Sequence, residues 1–414
     1  LGAQGTVFER AYSVSNWTRP AVASLHNSTM PSRHGANDVD LGLSPSLPLM
    51  AQVFKGMGYQ NVFVTMGVQV QPEDGYGRGV DHFYYARPRG AAYRSALMPF
   101  FKLVSPAVHS WIWAMIRGRQ ESSSPRNINA QALALARQLE PDRPVFMYVH
   151  YEGAHTPYAS PPPYNKAFTN RSLRRRPVKG LRYIKDAKGP LKEDLKYWIA
   201  QYDGQILWHD VYVKRLLDGL RALNRLDNAI VVVIADHGEG FGEHGVWDHG
   251  QGLFEEIVRV PLIFWTTQPW NKAQRLQVPA SLLDVAPTLV DLAGGKAPAE
   301  WDGGSLVPWL RGERQDTDRV VFQENIQTKE LGLRNGEWAY FERGQNGEVK
   351  QWLYRAEDRR QEHELSSRYP DLVEEFHLLL TERARIDKER GAGAPRVEID
   401  AAREEMLKEM GYVK

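Results

Sequence analysis

The 414 residues hold 42% apolar, 25% charged and 11% aromatic side chains, enough to bury a large core, which excludes a disordered chain and a small stapled scaffold. Lysine and arginine number 52 against 50 acidic residues, a net charge of +2, so overall charge gives no reason to expect a nucleic-acid binder and any anion must be recognised by a local cluster. The lack of cysteine excludes disulfides, thiolate metal sites and cysteine nucleophiles.

The chain opens at Leu1 in a turn-like stretch, 2–5, with neither a methionine nor a signal peptide, so further residues are expected upstream. Residues 22–25 read as a helix. Short runs rich in Val, Ile and Phe at 61–66, 144–150, 229–235 and 261–265 read as buried strands of a parallel sheet. Helical spacing of apolar residues at 129–139 and 191–223 separates them. The apolar run 96–116 has the length of a membrane span but contains Lys102, His109 and two prolines, so a buried or interfacial helical pair is expected and no membrane span. The basic segment 171–188, beside the prolines at 161–163, is either a solvated face or a rim that attracts an anionic substrate.

Beyond about residue 315 the pattern changes to short alternating segments, 320–324, 331–342 and 349–355, with Asn335-Gly336 offering a tight hairpin turn. From Pro370 a charged helix is expected, fraying near 391–395. The fold class is therefore α/β: a doubly wound, mostly parallel sheet flanked by helices, with a small C-terminal antiparallel sheet plus helix. The expected division is an α/β domain at 1–315 and a C-terminal α+β subdomain at 316–414.

In doubly wound sheets ligands sit beyond the strand C-termini, which directs attention to the residues just past each strand. The stretch 234–264 reads IADHGEGFGEHGVWDHGQGLFEEIVRVPLIF. Its strand delivers Asp236 and His237 side by side, a hard oxygen and an imidazole nitrogen, among glycines that let the backbone wrap an ion. His249 stands thirteen positions after Asp236 in the same glycine-rich loop, with His244 between them. The plain alternative is an aspartate helix cap beside a core histidine. Thr18, in Asn16-Trp17-Thr18-Arg19-Pro20-Ala21, precedes a proline suited to a first helical turn. A hydroxyl there lies near backbone donors and a dipole that favour an oxyanion, where a nucleophile for a phosphorus or sulfur centre belongs; the plain alternative is a threonine cap. His155, in the run His150 to Tyr158 after another strand, is placed to donate to a leaving group or a non-bridging oxygen.

These constellations, in this order, resemble the sulfatase family of the alkaline-phosphatase superfamily. Further matches are His155-Thr156-Pro157-Tyr158, Asp284-Val285-Ala286-Pro287-Thr288-Leu289 with Ala293-Gly294, Asp302-Gly303-Gly304-Ser305-Leu306, and Leu353-Tyr354 leading to Glu362. The resemblance implies that Asp236, His237 and Thr18 hold one divalent cation, Ca, Mg or Mn with Zn as the alternative. It makes Thr18 the nucleophile, places His155 and Arg19 on the bound ester, and places His249 against the ester and its leaving group. The substrate it implies is a small anionic ester or a sulfated or phosphorylated glycan or lipid, in a periplasmic or secreted setting, with no nucleic acid. Active sulfatases carry Cys or Ser where Thr18 stands, followed by x-Pro-Ser-Arg; here Ala21 and Val22 come after Pro20. A β-methyl bars conversion to formylglycine, so none is expected, and phosphoester-cleaving relatives with threonine fit better. Acidic ligands are expected on a strand upstream of Leu1. A head-group transferase and a degenerate, glycan-binding homologue are the competing readings. Sequons stand at Asn16, Asn27 and Asn170, the first too close to Thr18 for a glycan to be compatible with activity.

Overall fold

A computed structural model describes residues 1–86, 124–156, 158–169, 192–270, 272–345 and 347–409. The apolar run 96–116, the basic segment 171–188, Pro157 and Asn170 lie outside the described residues. In chain order the strands are β1 (Thr6–Phe8), β2 (Ala11–Tyr12), β3 (Gln60–Thr65), β4 (His82–Tyr85), β5 (Val145–His150), β6 (Ile230–Ile234), β7 (Gly240–Phe241), β8 (Trp247–Asp248), β9 (Leu262–Thr266), β10 (Gln274–Leu276), β11 (Ala280–Ser281), β12 (Val321–Asn325), β13 (Glu330–Arg334), β14 (Trp338–Gln345) and β15 (Glu348–Arg355). The chain divides into two compact units, one of residues 1–59, 72–80 and 226–398, the other of 60–71, 81–225 and 399–414. This division does not follow the expected boundary at 315/316, because the C-terminal sheet groups with β1, β6 and β9.

In the first unit the strand order is β10-β1-β9-β6. β1 runs parallel to β10, Thr6 opposite Gln274, whereas β9 is antiparallel to both β1 and β6. The runs read from sequence as two parallel strands, β6 and β9, thus pair antiparallel. The loop between them returns the chain to the same end of the sheet, as an antiparallel pair requires. β1 and β10 are three residues each, too short to show a period, and no pattern in the residues marked them.

The C-terminal strands form an antiparallel meander, β12-β13-β14-β15. Asn335 makes the expected turn, its Oδ1 accepting from the backbone N–H of Glu337 at 2.9 Å and of Trp338 at 2.8 Å. One face of the meander packs Leu333, Tyr340 and Leu353 against Val373, Phe376 and Leu380 of the helix Pro370–Glu389. The other packs Val321, Phe341 and Tyr354 against Val246, Phe254 and Ile257 of the loop after β6. Both faces of the meander are thus covered.

The second unit is built on the parallel sheet β4-β3-β5, Val62 facing His82 on one side and Met147 on the other. Its helices Pro125–Gln138 and Lys192–Ala222 bury Ile128, Ala132 and Leu216 with Val62 and Val64. Ser124 caps the first of them, its Oγ accepting from Asn127 N–H at 3.2 Å.

Candidate active site

Thr18 is the first residue of the helix Thr18–Asn27, with Pro20 in the first turn as the sequence suggested. The helix is buried from Arg19 to Asn27, which fixes its axis and leaves the Thr18 end half-buried at the site. Asp236 and His237 leave the C-terminal end of β6. Their loop is held by Gly238 N–H donating to Ile257 O at 2.6 Å and Glu239 N–H to Glu256 O at 2.9 Å. Only glycine fits at 238: a Cβ there would lie 2.1 Å from Glu256 O.

His237 Nδ1 lies 2.8 Å from Gly238 O and donates to it, so the proton resides on Nδ1 and Nε2 presents a lone pair. The Thr18 hydroxyl donates to that Nε2 at 3.1 Å. Asp236 Oδ2 lies 3.5 Å from the same nitrogen, while its Oδ1 accepts from His237 N–H at 3.0 Å. One imidazole nitrogen and two oxygens thus converge, and the pair of lone-pair atoms facing each other favours a cation between them.

The hairpin β7–β8 carries the chain back to His249, whose ring centroid is 4.4 Å from that of His237. Nδ1 of His249 meets Glu239 Oε1 at 3.1 Å and Asp248 Oδ1 at 2.8 Å. Burial pushes the Glu239 carboxyl above the usual carboxylate range, and His249 opposes that rise. Glu239, Asp248 and His249 form a cluster whose ligand atoms lie within 4.8 Å of one another, which sequence reasoning did not assemble. The turn that builds it uses Gly242 at φ 104°, where a Cβ would stand 2.5 Å from the Trp247 ring.

The loop is clamped from two sides. Gly250 N–H donates to Asn16 O at 2.8 Å and Asn16 Nδ2 donates to Gly252 O at 3.0 Å, which ties His249 to the segment bearing Thr18. From the C-terminal sheet, Asn325 Nδ2 donates to Gly250 O at 3.2 Å and Glu330 Oε2 accepts from Gly252 N–H at 3.2 Å. Arg343 holds Glu330 in turn at 3.0 Å. Nothing in spacing or residue type marked Asn325 and Glu330; only their burial, 1% exposed each, betrays them.

The structure therefore gathers Thr18, Asp236, His237 and His249. It corrects the expectation for Arg19, whose guanidinium is turned inward. That side chain is 2% exposed, bonded to Asp74 through two contacts at 2.9 and 3.2 Å and to Leu41 O at 2.9 and 2.6 Å. Its bonds to these two internal acceptors hold the guanidinium in the interior. His155 comes after β5 in the second unit, with Nδ1 2.8 Å from the carbonyl of Thr156. Asn16 and Asn27 are fully buried, so neither sequon is open to a glycan in the folded chain.

A family model described as Sulfatase matches residues 1–295. The sulfatase YidJ of Escherichia coli is 23% identical over 335 residues, 74% of this chain and 64% of that protein. Two solved structures superpose over nearly the whole chain. One, in complex with its substrate D-glucosamine-2-N,6-O-disulfate, gives a TM-score of 0.70 at 16% identity and covers 94% of this chain and 92% of that one. The other, the phosphonate monoester hydrolase of Agrobacterium radiobacter, gives 0.69 at 20% identity, covering 93% and 89%. The chain spans from 23% to 64% of the length of three curated sulfatase relatives it matches. The match over most of its length, with the mixed α/β sheets and C-terminal meander that its structural neighbours share, shows that the chain belongs to the sulfatase family.

Proposed function

We propose that the chain hydrolyses a small anionic ester, phosphate or phosphonate ahead of sulfate, with Thr18 as nucleophile. The observation that carries this reading is the Thr18 hydroxyl at 3.1 Å from His237 Nε2, at the start of a helix and beside Asp236. Helix starts favour anions, and a hydroxyl among them is placed to attack one.

The donor set fits a divalent cation held by Asp236, His237 and Thr18. Calcium, magnesium or manganese suits the oxygens and zinc the imidazole. When bound, such an ion supplies Lewis-acid neutralisation of the ester oxygens and lowers the pKa of the hydroxyl. The protein's own residues account for the rest. Thr18 Oγ1 releases its proton to solvent water and forms a bond to the central atom as the ester oxygen departs opposite it. His249, gripped at Nδ1, faces the departing oxygen and supplies its proton. Water then cleaves the threonyl ester and restores Thr18.

The β-methyl of Thr18 supports a hydroxyl nucleophile over an aldehyde-derived one, and so phosphorus over sulfur. The family also supports a sulfated or phosphorylated glycan or lipid as the larger substrate and a secreted or periplasmic setting. Among the described residues no helix is long and apolar enough to cross a membrane. The test is turnover of aryl sulfate, phosphate monoester and phosphate diester with and without divalent metal. Thr18→Ala is expected to lower turnover by about three orders of magnitude or more while weakening metal binding without abolishing it. Unchanged turnover in that variant removes the nucleophile assignment, and failure of the parent on all three esters favours the glycan-binding reading.

A further inference from the structure

We propose that the cleft beside Glu9 is a second anion site, which takes a sulfate, sulfonate or phosphate group carried on an organic body such as a sugar ring and holds it through Arg275 and Arg359. The cleft has a volume of about 1100 Å³, and none of Thr18, Asp236, His237 and His249 lines it. At its Glu9 end three guanidinium groups share one carboxylate. Arg275 donates to Oε1, while Arg259 and Arg359 stand 3.8 Å from Oε2, beyond hydrogen-bond reach. Arg259 is tied to the Glu9 carbonyl instead. The Arg359 guanidinium makes no hydrogen bond among the described residues, and Arg359 and Arg275 are 57% and 66% exposed, so both keep N–H groups open to a ligand. Positive charge is left over at that end. The other buried or half-buried carboxylates of the lining are already engaged: Glu255 with Arg334 Nε at 3.0 Å, and Glu256 with His244 Nδ1 at 2.8 Å.

A second observation points to an acceptor from outside the chain. Gln361 lines the cleft and is 2% exposed; its Oε1 accepts from Glu255 N–H at 2.8 Å, but its Nε2 has no hydrogen-bond partner. A buried amide donor left unpaired is costly, and a ligand's acceptor would relieve it. Gln361 and His244, which meet at 3.2 Å through Gln361 O and His244 Nε2, both hold left-handed backbone, at φ 49° and 51°. Strain of this kind in residues other than glycine gathers at binding sites. Val7, Val260 and Pro261 give the cleft an apolar side. A lone oxyanion would fill only a small part of this volume and leave that side bare, whereas a ring joined to the anion covers it. The forked guanidinium supplies two parallel donors to one oxyanion, which suits a sulfate, sulfonate or phosphate group.

The test is isothermal titration of the full chain with two probes: inorganic sulfate, and a methyl glucoside whose primary hydroxyl is replaced by sulfonate, so that no ester bond is present to be cleaved. Binding is read without turnover, so the outcome does not depend on the ester-hydrolase reading. The glucoside is expected to occupy a site that persists in Thr18→Ala and whose Kd rises about tenfold or more in Arg275→Ala/Arg359→Ala. Both arginines are more than half exposed, so that double variant is expected to melt within about 2 °C of the parent and to keep its aryl-ester turnover. Glu9→Gln keeps an acceptor for Arg275 and removes the competing charge, and is expected to tighten binding about threefold or more. A Kd within about twofold of the parent's in the double variant overturns the inference, as does loss of the site in Thr18→Ala or weaker binding in Glu9→Gln. Inorganic sulfate held as tightly as the glucoside overturns the organic ligand. If no ester is turned over while the double variant loses the glucoside, the anion site stands and the hydrolase reading fails.

Discussion

Asp74→Leu probes the burial of Arg19, the point where the site departs from its sequence-based outline. The Asp74 carboxylate is fully buried and takes two bonds from a guanidinium that is itself 2% exposed. Leucine leaves that cation in the interior without its carboxylate while Leu41 O still accepts from it, and loss of one partner from a buried pair costs about 3–5 kcal/mol. For a unit of this size each kcal/mol lowers the melting temperature by roughly 2–4 °C, so a fall on the order of 10 °C is expected by calorimetry. The double variant Arg19→Met/Asp74→Leu removes both charges and should recover at least about 2 kcal/mol of the loss, since an apolar pair of similar volume is often as stable as the ion pair it replaces. A single variant that melts within about 2 °C of the parent, less than 1 kcal/mol, would refute the reasoning. It would mean that the guanidinium swings out to solvent, and Arg19 would return as a candidate for the substrate's anion.

Three further outcomes are expected. Gly238→Ala forces the loop away from Glu256 O, and should cost about 2 kcal/mol or more together with a weaker cation isotherm, whereas an unchanged isotherm would separate that glycine from the site. Asn325→Ala removes the donor on Gly250 O and is expected to lower kcat more than KM changes, with a stability loss of about 1–2 kcal/mol; equal effects on a remote hairpin variant would argue against a clamp. Glu324, wholly buried, is pushed up to about 7 from 4.5 by desolvation. The folded state thus holds its proton after the unfolded chain has released its own, so stability falls as pH rises from about 4.5 to 7 and the penalty, on the order of 3 kcal/mol, is complete above that. Glu324→Gln should remove this fall, seen as a smaller difference in melting temperature between about pH 5 and pH 8. Identical pH profiles for parent and variant would refute it.

Much of this was legible in the residues. Asp236 and His237 stood out at a strand end and Thr18 at a helix start, features that hydrophobic runs and proline announce, while it was the resemblance to the sulfatases that brought the three to one site. The β13–β14 turn was legible in Asn335-Gly336 for the same local reason. The direction of β9 was not, since a buried run of Leu, Ile and Phe carries no sign of its neighbour's polarity. Arg19 misled because adjacency to Thr18 says nothing about rotamer: on a helix the next residue points about 100° away, here into the Asp74 cage. Glu239, Asn325 and Glu330 act through partners 10, 75 and 78 positions away, a separation no local pattern encodes.

The two bonds that Asn325 and Glu330 send to Gly250 and Gly252 also bear on how the chain can be cut. A fragment ending near residue 315 would strip a carbonyl and an amide of their partners within three residues of His249, and uncover Phe254 and Ile257 as well. The meander is thus a buttress for the histidine loop. Shortening the protein from its C-terminus should soften the reactive end before it unravels the sheet behind it.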